Sequence, residues 1–538
     1  MSINNTNETK THRILYVNIN KAIIYAVIVN LICLCFSAQA MAYQRLITPQ
    51  QQNDYDIDTA SLSHLYQDPA DYLWIDQQQL SLKAYDALEF IARSVDHGLN
   101  PNDYHQDVLQ HLEPAYNKSE AHLFDLMLTD GLLKLIRDIS TGRLDPVIVD
   151  PKWYIPRLPF NATEFLQQAL STNQLKTHLS SLLPASDQYR QLTAATARYQ
   201  NYVDRGGWST IPETPELRTG NSHQNIPLIR SRLAAEDDTV SSPGYGQSNY
   251  YDAKLEQAVQ QFQRRHSLNA DGIIGPATIR EMNISAAKRL QQIKINLERL
   301  RWLPDDLGER YIMVNLANYR LTAIDNNQTK LDMRVIVGKK KRSTPSFSSE
   351  MTHVVFNPRW YVPNKLARLD LLPKQQSNSD YFEHYNFHVF NNKNGNRTEV
   401  DPDSIDWQAI TRQHFPYLLV QDPGNKNALG RLKFILPNPW KIYLHDTPSK
   451  SLFNQTQRNF SSGCIRVEDP LALAIFSMTS NNTRQSLQDI INSDNNHSAK
   501  LEQPLSVYAI YATVWLNGNE LMFSPDSYQR DQKMAKYL

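Results

Sequence analysis

The sequence predicts a multidomain α+β protein. It has a helical N-terminal scaffold, a small three-helix module and a β-rich C-terminal domain that contains an inserted capping subdomain. Its 538 residues correspond to about three or four domains of average size. Apolar residues recur at helical spacing in the first half of the chain and at the shorter spacing of strands from Tyr311 onward. Hydrophobic residues make up 41% of the chain, which is enough for several cores and argues against general disorder.

Charge and cysteine content exclude two classes of protein. Lysine plus arginine equals aspartate plus glutamate at 55 each, so the net charge is +0, whereas a general nucleic-acid binder needs a basic excess. The three cysteines, Cys33, Cys35 and Cys464, are too few for a disulfide-rich scaffold. The sequence therefore predicts no nucleic-acid partner and no framework of disulfides.

The N-terminal segment has the pattern of a secretory signal. Basic residues precede an apolar stretch of about 17 residues, and small-x-small cleavage sites end at Ala40 and Ala42. We predict a signal over 1–42 that is either cleaved or retained as a membrane anchor. After cleavage Cys464 is the single cysteine of an exported protein, and an unpaired thiol in an oxidising compartment indicates chemistry at that thiol.

The next predicted domain, 43–213, is helical. Apolar residues at helical spacing run over 80–95 and 126–139, and glycine and proline follow each run, as is typical of helix ends. No residue set in this domain has the pattern of a catalytic site. The polar segment 214–225, with its proline and glycine, is predicted as a linker.

A compact three-helix module is predicted over 222–285. Its second helix has apolar residues at 255, 258, 259 and 262, and Pro276 is placed to open the third helix. Apolar residues at 290, 293, 297 and 300 predict a connecting helix within 286–308, where they favour a role in the core.

The β-rich domain is predicted over 309–500. Short strands recur from Tyr311 onward, but mixed polar and aromatic sequence interrupts them over about 373–430. Because this interruption is too long for an ordinary connection, it predicts an inserted capping subdomain. Late strands and a polar tail are predicted over 501–538.

The candidate catalytic residues lie late in the β-rich domain. Cys464 follows Gly463, and His445 stands nineteen positions earlier at the end of a strand-like segment. A nucleophilic cysteine needs a base, which an imidazole provides, and the amides around Gly463 and Cys464 can point at a developing oxyanion. The guanidinium of Arg466 has paired N–H donors whose geometry suits a carboxylate. Ser462 or a backbone carbonyl can orient the imidazole.

These residues also support a family resemblance. His445-Asp-Thr-Pro followed by Ser461-Ser-Gly-Cys-Ile-Arg466 resembles the active-site signature of L,D-transpeptidases, the cysteine enzymes of peptidoglycan cross-linking. Asn357-Pro-Arg-Trp-Tyr-Val-Pro363 resembles the segment that borders their catalytic cleft. The string over 258–278 resembles a peptidoglycan-binding domain, and the N-terminal helices with Gly142-Arg-Leu-Asp-Pro146 resemble the scaffold domain of the large Gram-negative members.

The resemblance implies a role for each matching residue. Cys464 is implied as the acylated nucleophile, His445 as the general base, and the backbone at Gly463 and Cys464 as the oxyanion hole. This chain has Ser462 where many relatives have a histidine, so the helper role of a second imidazole is absent. The residues implied to bind substrate or line the cleft are Arg466, Tyr443, Trp360 and Ser462.

The implied reaction is a two-step acyl transfer that needs no cofactor and no metal. Cys464 attacks the carbonyl between diaminopimelate and the terminal D-alanine of a tetrapeptide stem, and a side-chain amine of another stem resolves the thioester into a 3→3 cross-link. The implied partners are peptidoglycan stem peptides and glycan, with carbapenems as covalent inhibitors. The implied location is the periplasm, with inner-membrane anchoring if the signal is retained.

Several alternative functions remain open, some of which use the same catalytic residues. Hydrolysis of the thioester gives an L,D-carboxypeptidase, and attachment of a lipoprotein to murein uses the same acyl-enzyme. A cysteine peptidase of another fold is the nearest rival, but those of the papain or cell-wall endopeptidase type are disfavoured because they place the cysteine before the histidine. His384 and His388 have the spacing of a metallopeptidase pair but lack its glutamate and a third ligand. A non-catalytic wall-binding protein is the remaining class.

Overall fold

The computed structural model describes residues 55–66, 71–113, 118–236, 247–393, 396–478 and 483–538. The predicted signal over 1–42, with Cys33 and Cys35, lies outside these residues. The chain divides into two compact units, one of residues up to Arg143 with Pro159–Pro184, the other of Leu144–Leu158 with Ala185–Leu538. None of the helices in the described part of the chain has both the length and the apolar character needed to cross a membrane.

The N-terminal half is mainly helical, as predicted. Its short hairpin consists of β1 (Ile75–Asp76) and β2 (Gln79–Leu80). The helices up to the β-rich domain are α1 Thr59–Leu62, α2 Leu82–Ala92, α3 Gln106–Leu109, α4 Lys118–Thr141, α5 Pro146–Val149, α6 Ala162–Leu170, α7 Leu175–Ser181, α8 Asp187–Asp204, α9 Ile226–Ala234, α10 Ala253–Arg265, α11 Pro276–Met282 and α12 Ala286–Arg301.

The first unit is built around α4. Apolar side chains of this helix are buried along its length against α2, α6 and α7. Helix α8 belongs instead to the second unit, where Tyr189, Leu192 and Tyr199 pack against Leu290 and Ile293 of α12. The domain predicted over 43–213 therefore contains segments of both compact units.

The three-helix module is formed by α9, α10 and α11. The prediction for its second helix is confirmed, because Leu255, Val259 and Phe262 are fully buried on one face of α10. Pro276 opens α11, as its position in the sequence indicates. The predicted linker includes Leu217, which forms a β-bridge to Ile274 and so pairs with the module.

The β-rich domain is a closed eight-stranded barrel. In order around the barrel, its strands are β11 (Leu432–Ile435), β12 (Leu444–His445), β13 (Ile465–Val467), β5 (Gln328–Ile336), β4 (Arg320–Asp325), β3 (Arg310–Asn315), β14 (His497–Ile510) and β6 (Phe347–Phe356). Alternate residues of these strands point inward and form one apolar core. A closed barrel leaves no free edge.

The boundary predicted between 500 and 501 is wrong, because it falls inside β14. This strand pairs in parallel with β3 and antiparallel with β6, so it is a wall of the barrel. The chain then continues into the hairpin of β15 (Val514–Asn517) and β16 (Glu520–Phe523).

The inserted subdomain begins earlier than predicted. A four-stranded sheet has the order β7 (Trp360–Tyr361), β10 (Tyr417–Gln421), β8 (Phe387–Lys393) and β9 (Asn396–Val400). It shares a separate apolar core with α13 (Asn364–Leu366), α14 (Leu372–Ser377) and α15 (Tyr381–His384). The capping subdomain thus spans about 360–421 instead of about 373–430. Its aromatic sequence supplies this separate core.

The remaining helices follow the nucleophile segment. They are α16 (Pro470–Ser477), α17 (Arg484–Asn492) and α18 (Arg530–Met534). Arg530 of α18 donates hydrogen bonds to Thr344 and Ser346, so the C-terminal segment supports the start of β6.

A buried carboxylate holds the segment Leu144–Leu158 in the second unit. Glu298 of α12 is fully buried, accepts hydrogen bonds from the Leu144 amide at 2.7 Å and the Trp302 indole at 3.1 Å, and pairs with Arg301 at 2.6 Å. The same segment extends the barrel at Trp153, which bridges Ser346.

We expect Glu298→Ala to destabilise the second unit strongly. It removes one partner of the buried Glu298–Arg301 pair, and breaking a buried pair costs about 3–5 kcal/mol. The control is Asp332→Ala, which breaks the Arg320–Asp332 pair, whose side chains are 38% and 44% exposed, and should cost about 1 kcal/mol or less. Urea unfolding followed by tryptophan fluorescence measures both, and equal losses would contradict this account of Glu298.

Candidate active site

Three strands of the barrel wall build the site. β12 pairs in parallel with β13 in the register Leu444 to Ile465 and His445 to Arg466, and antiparallel with β11. Leu444 and Ile465 are fully buried in the barrel core. Because side chains alternate along a strand, Tyr443, His445, Cys464 and Arg466 share the outer face.

This outer face forms the floor of a cavity of about 1510 Å³. The inserted subdomain contributes to the walls through Tyr361 and Leu371, and Tyr154 contributes from the segment Leu144–Leu158. All of the predicted site residues line this one cavity. They are Cys464, His445, Gly463, Arg466, Tyr443, Trp360 and Ser462.

The Cys464 thiol is held in its protonated form. Burial raises the pKa of the Cys464 thiol, whereas hydrogen bonds from Tyr443 and the charges of Lys433 and Arg466 oppose that rise. The sulfur lies 3.9 Å from the carbonyl oxygen of Lys441, to which the thiol donates. At neutral pH the resting nucleophile is therefore a thiol, and a base must remove its proton during the reaction.

His445 is held as a neutral base with a defined tautomer. Its Nδ1 lies 2.5 Å from the carbonyl oxygen of Asp446, and because a carbonyl only accepts, Nδ1 carries the proton. The Nε2 of the neutral ring is therefore the unprotonated nitrogen. Burial above all, and then the positive charges of Arg466 and Lys433, lower the pKa of His445 to about 3.

Asp446 is itself fixed from several sides. Its carboxylate accepts a hydrogen bond from the Arg431 amide at 2.8 Å and pairs with Lys450 at 2.6 Å. Gly430 packs so closely that a Cβ there would lie 2.3 Å from the Asp446 carboxyl carbon, and its φ of 61° is one that favours glycine. From the sequence, either Ser462 or a backbone carbonyl can orient the imidazole, and the structure assigns this role to the Asp446 carbonyl.

The turn before the nucleophile is fixed by its own hydrogen bonds. The Gly463 amide donates to Ser461 Oγ at 3.0 Å, and Ser461 Oγ donates to the Cys464 carbonyl at 2.5 Å. The hydroxyl of Thr344 donates to the Gly463 carbonyl at 2.8 Å. An amide that already donates is not free to bind an oxyanion, so the prediction for the Gly463 amide is wrong in this conformation.

Ser462 connects the nucleophile turn to the inserted subdomain. Its exposed hydroxyl accepts a hydrogen bond from Arg342 at 2.9 Å. The same guanidinium pairs with both carboxylate oxygens of Asp370, in the inserted subdomain. Ser462 thus lines the cavity while bound to a residue of the protein.

The other predicted cleft residues surround the sulfur. The Tyr443 hydroxyl interacts with Cys464 and with the Trp360 side chain, and burial raises the pKa of the Tyr443 phenol far above its usual value. The Nε of Arg466 is buried and has no hydrogen-bond partner among the residues that the structure describes. Burial lowers the pKa of Arg466, while the nearby Cys464 sulfur opposes this shift.

The histidines at the metallopeptidase spacing do not form a metal site. His384 ends α15, whereas His388 lies on β8 and is bound by Glu399 at 2.5 Å and Asp422 at 2.7 Å. Within the described ranges, no group of three histidine, cysteine or carboxylate residues has the arrangement of a metal site.

Three functional neighbours were not identified from the sequence. Lys433 lies opposite His445 on β11, with its ammonium 4.1 Å from the ring centre of Tyr443. The Lys441 carbonyl accepts a hydrogen bond from the thiol, and the Asp446 carbonyl accepts one from the imidazole. Alternation along β11 indicates that Lys433 faces outward, but the register between strands does not follow from the sequence, and backbone carbonyls leave no signal in it.

Family models match most of the chain. The L,D-transpeptidase catalytic domain matches residues 309–486, and the scaffold domain matches 60–195. A model described as "Putative peptidoglycan binding domain" matches 222–282. The order of the three agrees with the order that the sequence resemblance implied.

Individual relatives match parts of the chain. A Haemophilus influenzae protein named "Putative L,D-transpeptidase" is 37% identical over 258 residues, which are 48% of this chain and 50% of the relative. The chain thus spans about half the length of this curated relative. Among solved structures, an L,D-transpeptidase from Mycobacterium smegmatis is 13% identical, with 38% of this chain and 58% of that chain covered and a TM-score of 0.19. One from Stackebrandtia nassauensis is 11% identical, with 55% and 97% covered and a TM-score of 0.22.

We expect His445 to stay neutral down to about pH 4, because its pKa of about 3 lies well below the usual value near 6.5. The unfolded chain takes up this proton as pH falls through the usual value, so the stability from neutral His445 is complete above that pH and declines towards pH 3. Histidine NMR titration checks this. His388 is the internal control, because hydrogen bonds to Glu399 and Asp422 raise its pKa. Protonation of His445 between pH 5 and 7 would contradict the expectation.

We expect Gly430→Ala to displace Asp446 and with it the imidazole. The matched control is Gly518→Ala, at a similar φ of 59° but with no atom within 4 Å of its Cβ position, so that both variants carry the same backbone strain of about 1–2 kcal/mol. Only Gly430→Ala should shift the His445 Nδ1–H resonance and lower the melting temperature beyond the control. Identical behaviour of the two variants would refute the supporting role of Asp446.

Proposed function

Because the chain belongs to the L,D-transpeptidase family, we propose that it is an exported enzyme that forms 3→3 peptidoglycan cross-links by cysteine acyl transfer. The observation that supports this most directly is the site on the barrel wall. There, Cys464, His445 and Tyr443 share one face in one cavity, and His445 keeps an unprotonated Nε2.

In the first step the donor stem acylates Cys464. The sulfur attacks the carbonyl carbon between diaminopimelate and D-alanine while the Nε2 of His445 takes the thiol proton. Because both groups are neutral at rest, the thiolate forms during the attack and does not exist beforehand as an ion pair. The tetrahedral intermediate collapses with cleavage of the C–N bond. The leaving amine of D-alanine receives the proton from the imidazolium, and the product is a thioester.

Charge on the oxyanion needs donors near the sulfur. The Gly463 amide is engaged by Ser461, so we assign this role to the Cys464 amide and to Tyr443, whose hydroxyl interacts with the sulfur. A preorganised donor in a water-poor site stabilises such a charge more than water does. Neighbouring Lys433 and Arg466 add positive potential to the same side of the cavity.

In the second step an acceptor amine resolves the thioester. The side-chain amine of a diaminopimelate residue attacks the thioester carbonyl and gives up a proton to His445. The C–S bond breaks, and the sulfur recovers a proton as the thiol. The product is an amide between two position-three residues. Water in place of the amine gives L,D-carboxypeptidase activity from the same thioester, and a lipoprotein amine gives attachment to murein.

The remaining parts of the chain fit this reaction. The three-helix module is proposed to hold the enzyme on glycan, and the signal over 1–42 to deliver it to the periplasm, where it is released or stays at the inner membrane. Carbapenems are proposed to acylate the same sulfur through their strained lactam carbonyl. No step calls for a metal or an organic cofactor.

Intact mass spectrometry with meropenem tests the nucleophile. We expect one covalent adduct on Cys464 of the folded, reduced protein and none on Cys464→Ser. His445→Gln should slow adduct formation by about a hundredfold or more, since it removes the general base. An unmodified wild type would contradict the nucleophile assignment. Incubation with tetrapeptide muropeptides should then give cross-linked dimers with release of D-alanine, whereas tripeptides alone would identify a carboxypeptidase.

A further inference from the structure

The catalytic cavity is strongly cationic although the whole chain is neutral. Twelve lysines and arginines line it against two aspartates. Both aspartates are already paired within the protein, Asp150 with Arg530 and Asp370 with Arg342. Among the described residues, most of this positive charge therefore has no carboxylate partner in the cavity lining, and a cavity of one sign attracts ligands of the other.

Lys433 is the lysine that pairs directly with His445 in the strand register. It lies on β11 opposite His445, and its ammonium is 4.1 Å from the ring centre of Tyr443. Its side chain is partly buried, and no carboxylate lies within 4 Å of it in the part of the chain that the structure describes. The ring face of Tyr443 replaces only part of the hydration that the ammonium gives up.

A ligand can reach Lys433 from the catalytic cavity. Lys433 and Tyr361 also line a neighbouring cleft of about 850 Å³, so this lysine stands where the two spaces meet. Strand β12 lies between β11 and β13, so the backbone of Lys433 is about 9–10 Å from that of β13, which Cys464 directly precedes.

This separation distinguishes between the carboxylates of a donor stem. The carboxylate of the terminal D-alanine lies in the leaving group, next to the bond that Cys464 breaks. The free carboxylate of diaminopimelate lies at the far end of its side chain, several bonds from the attacked carbonyl. The second carboxylate therefore fits a cation that is two strands away from the nucleophile.

We propose that Lys433 binds the free carboxylate of the donor diaminopimelate, so that the site selects stems in which this carboxylate is not amidated. The proposal rests on the proposed function. It makes Lys433 a substrate-binding and specificity-determining residue, with Tyr443 holding the ammonium in place between turnovers.

The test compares two tetrapeptides, one with the free carboxylate and one with that carboxylate amidated, by release of D-alanine. The wild type should prefer the free peptide by about tenfold or more in kcat/KM. Lys433→Met should remove this preference, with any loss of kcat from the missing positive charge shared by both peptides, and Lys433→Arg should retain most of it. The matched control is Lys330→Met, an exposed lysine of the same barrel outside the cavity, which should keep the preference.

Two further measurements separate this role from others. A tetrapeptide amidated at the terminal D-alanine should lose activity equally in the wild type and in Lys433→Met, since that carboxylate does not contact Lys433. The pH dependence of Cys464 alkylation by iodoacetamide reports on thiol ionisation. A variant that shifts this profile but keeps the peptide preference would overturn the proposal in favour of a role in thiol ionisation alone.

The same measurements distinguish a wrong assignment of Lys433 from a wrong proposed function. If the wild type releases D-alanine and Cys464→Ser does not, the acyl transfer stands. Equal use of the two peptides by the wild type, or an unchanged preference in Lys433→Met, would then refute the assignment of Lys433 alone. No release of D-alanine by the folded wild type would contradict the proposed function and this inference together.

Discussion

The site depends on the parallel pairing of two very short strands, Leu444–His445 and Ile465–Val467. Their register puts alternate residues of both strands into the barrel core and the others onto one outer face. Because a shift by one residue turns every side chain to the opposite face, the buried Leu444 and Ile465 also fix where His445 and Cys464 point. The apolar core thus determines the chemistry of the cavity, and the catalytic residues need no strong attraction between themselves.

The electrostatics of the site are those of neutral reactants among cations. Burial keeps both the thiol and the imidazole uncharged, and the Asp446 carbonyl selects the tautomer of the imidazole. Lys433 and Arg466 lie on the same outer face, and Arg466 keeps a buried Nε without a partner among the described residues. Such a site stabilises the negative charge that develops on the oxyanion during the reaction, whereas the resting thiol carries no charge.

Much of this arrangement could be predicted from the sequence. The change of apolar spacing at Tyr311 and the alternation of Leu444 with His445 predict strands, which the structure has. The segment around Cys464 predicts the nucleophile. Other features could not be predicted. Membership of β14 in the barrel depends on pairing with β3, nearly two hundred residues earlier, and with β6, and local patterns do not encode such pairing. The engagement of the Gly463 amide by Ser461 is a matter of turn geometry.

The position of β14 affects the order in which the chain can fold. This strand lies between β3 and β6 and ends at Ile510, so the barrel stays open until the chain up to this residue is available. The α18 segment that supports β6 follows later still. A chain emerging from its N-terminus therefore has His445 and Cys464 long before it has a cavity around them. The thiol becomes an organised nucleophile only after β14 and α18 have joined the barrel, which delays reactivity until the domain has folded.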